Sequence, residues 1–96
     1  MTGYDERPWL SAYPPGRPPH LRRAFATALD VFDAAVTQAP HRPALCYFDQ
    51  TLTWAQVDHA AEALASLLIA RGFAPGDRLG LCLQNDPAFV IGLVAA

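Results

Sequence analysis

Lysine is absent from this 96-residue sequence, and all seven of its basic residues are arginines. The absence excludes a phosphate-loop lysine, a Schiff-base lysine and a lysine electrophile within the chain. The formal net charge is −2, so the chain as a whole lacks the positive excess that supports binding to nucleic acid. We therefore expect no nucleic-acid partner.

Cysteine and histidine are scarce. Cys46 and Cys82 lie in separate apolar runs, a pattern typical of buried thiols in a reducing compartment. His20, His41 and His59 fit no metal-binding spacing and are expected to be solvated surface residues. The sequence therefore predicts no metal-binding residue.

Long apolar runs are missing too. The longest, over 88–96, is far shorter than the roughly 20 residues that a membrane-spanning helix needs. The polar residues at the N-terminus do not resemble a signal peptide. These features predict a cytoplasmic protein without a transmembrane segment, and they leave open a peripheral association of a longer parent protein with a membrane.

Proline is concentrated near the N-terminus, with five of the nine prolines between positions 8 and 19. Such a stretch is expected to be extended or polyproline-like. We assign residues 1–26 to an N-terminal arm laid over the surface of the remaining chain, with Trp9, Leu10 and Tyr13 as apolar anchors. Residues 15–18 also match PxxP beside an arginine, which leaves an SH3-type ligand as an alternative.

Residues 27–96 alternate between helical and strand patterns and are assigned to one domain. A first helix is predicted over 28–38, capped by Thr27 and ended by Pro40. Strands over 44–48 and 51–53 predict a hairpin. Its connection, Asp49-Gln50, lacks the glycine that favours a type I′ turn, so a longer or bulged loop is expected.

A second helix is predicted over 54–71. Thr53 and Gln56 have the spacing of a capping box, and Gly72 suits a left-handed C-terminal cap. Residues 79–83 are apolar on both faces, as in a parallel strand between helix layers. Asp86 and Pro87 then predict the start of an apolar helix over 88–96.

The order is therefore arm, helix, β-hairpin, helix, parallel strand and helix, which predicts an α/β fold. The sequence of the last helix contains no polar residue and no capping residue up to position 96. We expect the chain to be part of a longer domain.

The junction between the predicted parallel strand and the last helix is a position where α/β proteins bind phosphate. Here the junction is Gln84-Asn85-Asp86, which has no glycine and places a carboxylate where an anion would lie. No histidine lies at a spacing from Ser11 or Ser66 that predicts a catalytic base. Asp58 and Glu62 are expected on a solvated helix face. We predict no catalytic, cofactor-binding or metal-binding residue in this chain.

From Thr51 onward the sequence resembles the adenylate-forming superfamily of acyl-CoA synthetases, peptide-synthetase adenylation domains and luciferases. The family pattern reads (R/G)-x-L-T-Y-x-E-L, then a helix, then G-x-x-x-G-D-R and an asparagine before an apolar helix. Trp54 replaces the tyrosine and Gln56 the glutamate. The matching positions are Leu52, Thr53, Trp54, Gln56, Val57, Gly72, Gly76, Asp77, Arg78 and Asn85.

Two upstream segments extend the resemblance. Residues 40–45 resemble the family's P-D-R-P-A-L, so that the match covers 27–96. Residues 7–18 resemble the start of bacterial long-chain fatty acid–CoA ligases, W-L-x-x-Y-P-x-x-(V/I)-P, with Arg17 in place of an apolar residue.

The resemblance implies an AMP-forming ligase. Such an enzyme uses ATP and Mg²⁺ to convert a fatty acid into an acyl-adenylate, and then passes the acyl group to CoA. It also implies that the family's catalytic and ligand-binding segments lie downstream. This chain would then form part of the large N-terminal domain, whose remainder packs on the C-terminal apolar helix.

Two alternatives remain at this point. One is another adenylate-forming enzyme, either an aryl or other acyl-CoA ligase or a peptide-synthetase adenylation domain. The other is a stand-alone, non-catalytic α/β module that binds a second chain through its last helix.

Overall fold

The computed structural model describes residues 3–96 and contains three α-helices and one β-hairpin. Helix α1 spans Ala28–Gln38, α2 spans Trp54–Ala70, and α3 spans Pro87–Ala95. Strands β1, Pro43–Tyr47, and β2, Gln50–Thr53, pair antiparallel. A short 3-10 helix, Pro8–Ala12, lies in the arm. This mixture of helices and strands confirms the predicted α/β class.

Helix α2 is the centre of the packing, and it contacts α1, α3 and both strands. Val57 and Ala61, on one face of α2, are only 1% and 4% exposed. On α3, Gly92 is buried because Leu81 packs against it, and a Cβ at Gly92 would lie 2.8 Å from Leu81 Cδ2. The core is therefore a small cluster where α2, α3 and the segment before α3 meet.

Little of the remaining surface is buried. The solvent-accessible area is 8090 Å², whereas a compact monomer of this mass exposes about 5,400 Å². The radius of gyration is 18.8 Å, compared with about 12.5 Å for a compact domain of this length. Large apolar side chains such as Leu93 and Ile69 are consequently 61% and 70% exposed.

The parallel strand predicted over 79–83 is not formed. Within residues 3–96 the sheet has two strands, β1 and β2, and the segment before α3 has no strand hydrogen bonds. A parallel strand needs a neighbouring strand to accept its backbone hydrogen bonds, and no described segment supplies one. Leu79 and Leu81 are half-buried, so the segment still contributes to the core.

The hairpin differs in detail from its prediction. The connection is the two-residue turn Phe48-Asp49, one position earlier than expected, and Tyr47 pairs with Gln50. Phe48 has a φ of 51° and so takes the left-handed conformation usually given to glycine. The register irregularity lies at the other end of the hairpin, between Pro43 and Leu45. The prediction of a longer or bulged loop was therefore wrong, because Phe48 adopts the positive φ that glycine favours.

Candidate functional site

The family-like residues around the start of α2 form a closed hydrogen-bond unit. A helix begins with four backbone N–H groups that have no partner inside the helix. Here Thr53 N–H donates to Gln56 Oε1 at 2.9 Å, and Gln56 N–H donates to Thr53 Oγ1 at 3.2 Å. Trp54 N–H donates to Arg42 O at 3.1 Å, and Ala55 N–H donates to Pro40 O at 3.0 Å. All four groups are thus satisfied, and we call this set the α2 junction.

The α2 junction also fixes the packing of α1. The Trp54 ring contacts Phe32 of α1 edge-on, with ring centroids 5.9 Å apart and an interplanar angle of 65°. One helical turn after the junction begins, Val57 enters the core. Trp54 is therefore a packing residue, and residues 51–57 serve to join strand, helix and core.

The glycines of the second half of the motif shape the backbone. Gly72 has a φ of 91°, and the N–H groups of Gly72 and Phe73 donate to Ile69 O and Leu68 O at 3.0 Å. These two bonds define a Schellman motif, which satisfies the last carbonyls of α2. The left-handed cap predicted at Gly72 is therefore confirmed.

Residues 74–77 form the next turn. Asp77 N–H donates to Ala74 O at 3.0 Å, and Ala74 N–H donates to Asp77 Oδ2 at 2.8 Å. Gly76 has a φ of 90°, as the third residue of a type II turn requires. The neighbouring motif residues Arg78 and Asn85 are exposed. The Gly and Asp of the motif therefore act on the backbone, which they turn toward the segment that packs on α3.

The start of α3 is closed by its own side chain. Asp86 Oδ1 accepts a hydrogen bond from Phe89 N–H at 3.2 Å, and Pro87 is the first helical residue. The carboxylate lies where a phosphate would bind at a helix N-terminus. This confirms the predicted cap, and it gives the junction at 84–86 a structural role.

The residues present do not fit the Mg²⁺ and nucleotide that the family resemblance implies. Across residues 3–96 no three His, Cys, Asp or Glu side chains come together in a way that could hold a metal ion. The start of α3, which follows the apolar segment 79–83, is capped by Asp86. The absence of catalytic and cofactor-binding residues from this chain stays a prediction.

Other residues considered from the sequence are dispersed. Glu62 is exposed and Asp58 half-buried on α2, where with Asp33 they border a hollow of about 270 Å³ between α1, α2 and α3. Ser11 Oγ donates to Pro8 O at 2.9 Å, a bond within the short 3-10 helix. His41 and His59 are exposed, and His20 lies beside Arg7.

Both cysteines are exposed, so the prediction of buried thiols was wrong. Cys46 lies on the outer side of β1, with its Sγ 4.0 Å from Thr51 Oγ1. Cys82 follows Leu81, whose side chain takes the inward position beside Gly92. An apolar run buries both faces only where a layer lies on each side, and the described residues supply one layer.

The PxxP match does not form a polyproline helix. Arg17 N–H donates to Pro14 O at 3.2 Å, and Gly16 has a φ of 85°. Residues 14–17 are therefore a tight turn, whereas an SH3 ligand requires a continuous left-handed polyproline conformation. Trp9 and Tyr13 are 41% and 43% exposed, and Leu10 is half-buried, so their role as anchors of the arm stays a prediction. Trp9 packs against Tyr4 within the arm, at a centroid distance of 5.4 Å.

The sequence analysis did not predict the hydrogen bonds to the carbonyls of Pro40 and Arg42, which complete the α2 junction. Every residue has a backbone carbonyl, so the residue type does not show which carbonyls accept such bonds. The rigid Pro40 and Pro43 around them were the available signal, because proline fixes the local backbone. Phe48 was missed because no sequence pattern marks an aromatic residue in a left-handed turn position.

Comparison with known proteins assigns the chain to a protein family. The model of the AMP-binding enzyme family matches residues 32–96. The chain belongs to this family, which is the adenylate-forming class expected from the motif. No solved structure matches the chain significantly.

Similar proteins fall into two groups by name. Long-chain fatty acid transport protein 2 of Rattus norvegicus is 40% identical over 70 residues, which is 72% of this chain and 11% of that protein. The AMB antimetabolite synthetase AmbB of Pseudomonas aeruginosa is 33% identical over 93 residues, 91% of this chain and 7% of its own length. Nonribosomal peptide synthetase imqB of Aspergillus flavus is 33% identical over 89 residues, 93% of this chain and 2% of its own length. The chain thus spans about a tenth or less of these relatives.

Proposed function

We propose that this chain is an N-terminal structural segment of an AMP-forming ligase that activates long-chain fatty acids. The observation that carries the proposal is the family match over 32–96, which coincides with the capped and turned unit built on α2. In the intact enzyme, ATP and a fatty acid would form an acyl-adenylate and pyrophosphate. CoA would then take the acyl group and release AMP.

The role of this segment within such an enzyme is to build the scaffold. Its motif residues cap helices, set turns and fill the core, and the described part of the chain offers no set of ligands for a metal ion. Helix α3 is apolar nearly throughout, and its Leu93 is 61% exposed. We propose that the remainder of the enzyme's large domain packs against this face of α3.

The fatty acid specificity rests on the higher identity, 40% and 38%, to two proteins named as long-chain fatty acid transport proteins. The arm does not separate the two groups of relatives. The match to the peptide synthetase imqB covers 93% of the chain, so it reaches the arm as well. That coverage supports a second candidate, the adenylation domain of a peptide synthetase, whose substrate is an amino acid and whose acceptor is a carrier thiol.

ATP–pyrophosphate exchange tests the two candidates directly. The intact product of the native gene is assayed with palmitate and with a mixture of amino acids, beside the purified 96-residue chain. Exchange with palmitate, followed by acyl transfer to CoA, supports the ligase. Exchange with an amino acid alone supports the peptide synthetase.

The 96-residue chain is expected to be silent in both assays, because its motif residues hold the fold. Silence of the intact product, together with a monodisperse and folded 96-residue chain, would replace both candidates by a non-catalytic binding module. Activity of the 96-residue chain would contradict the structural role given to its motif.

A further inference from the structure

We draw no further inference here: the strongest candidate, the apolar hollow between α1 and α3 lined by Leu29, Phe32, Leu93 and Val94, carries none, because nothing in the structure shows what covers it.

Discussion

The arm and the α2 junction differ in how their polar and apolar groups are satisfied. At the α2 junction, each of the four N–H groups at the helix start has a partner, and Val57 beside it is 1% exposed. In the arm, every described residue except the half-buried Leu10 is exposed, and its contacts include local turns, the Tyr4–Trp9 ring pair and the contact between Arg7 and His20. The family-like residues therefore stabilise the fold by joining its elements, whereas most side chains of the arm are exposed.

The largest effect is expected from a charge placed in the core beside the α2 junction, which tests whether this region is buried. Val57→Asp buries a carboxylate without a partner and should lower the free energy of unfolding by more than about 3 kcal/mol. Chemical denaturation of the intact gene product, followed by circular dichroism, measures the loss. The control Ala63→Asp adds the same charge to an exposed position of α2 and should cost less than about 1 kcal/mol. Equal effects would contradict the assignment of Val57 to the core.

A second test removes one partner from the α2 junction. Thr53→Ala deletes the hydroxyl that accepts from Gln56 N–H and should cost about 1 kcal/mol of stability. A double-mutant cycle with Gln56→Ala should show coupling between the two side chains, because they cap each other's backbone groups. A thermal midpoint that does not move in Thr53→Ala would contradict the cap.

A substitution in the hairpin turn is expected to increase stability. Phe48 is 89% exposed and has a φ of 51°, so its backbone is strained while its side chain contacts mainly solvent and the Tyr47 ring, at a centroid distance of 4.6 Å. Phe48→Gly should therefore raise stability by about 1 kcal/mol, which a rise in the denaturant midpoint would report. Asp49→Gly is the control, since Asp49 is not among the residues with positive φ. An equal gain in both variants would show that strain at Phe48 is not the cause.

The smallest effect is expected in the arm. Trp9→Ala removes a ring that packs on Tyr4 and is 41% exposed, so the stability of the body should change by less than about 0.5 kcal/mol. Amide hydrogen exchange of α2 measures this without interference from the arm. A loss of protection in α2 would show that Trp9 of the arm stabilises the body, which contradicts the small effect expected here.

Elements with a local cause could be predicted from the sequence. Helix α1 begins at Ala28 as expected, because Thr27 and Asp30 cap each other's backbone groups at 3.1 and 3.2 Å. Helix α2 begins at Trp54 and ends within one residue of the prediction, because a capping box and a glycine define its ends. The assignments of residues 1–26 and 27–96 to an arm and a domain stay predictions, as does the cytoplasmic location.

Features that depend on distant partners could not be predicted in the same way. The segment over 79–83 has the composition of a buried strand, but strand hydrogen bonds require a neighbour that residues 3–96 do not contain. Cys46 and Cys82 were expected inside for the same reason, and both are exposed. The third and fourth partners of the α2 junction are backbone carbonyls, and their positions follow from how the chain reaches β1.

The sequence by itself determined the helix ends, the turns at Gly72 and Gly76 and the resemblance to adenylate-forming enzymes, because side chains act there on their own or adjacent backbone. Only the tertiary structure decided which apolar residues are buried and that residues 14–17 form a tight turn. Burial depends on which surfaces meet, and that is a property of the whole arrangement of elements in space.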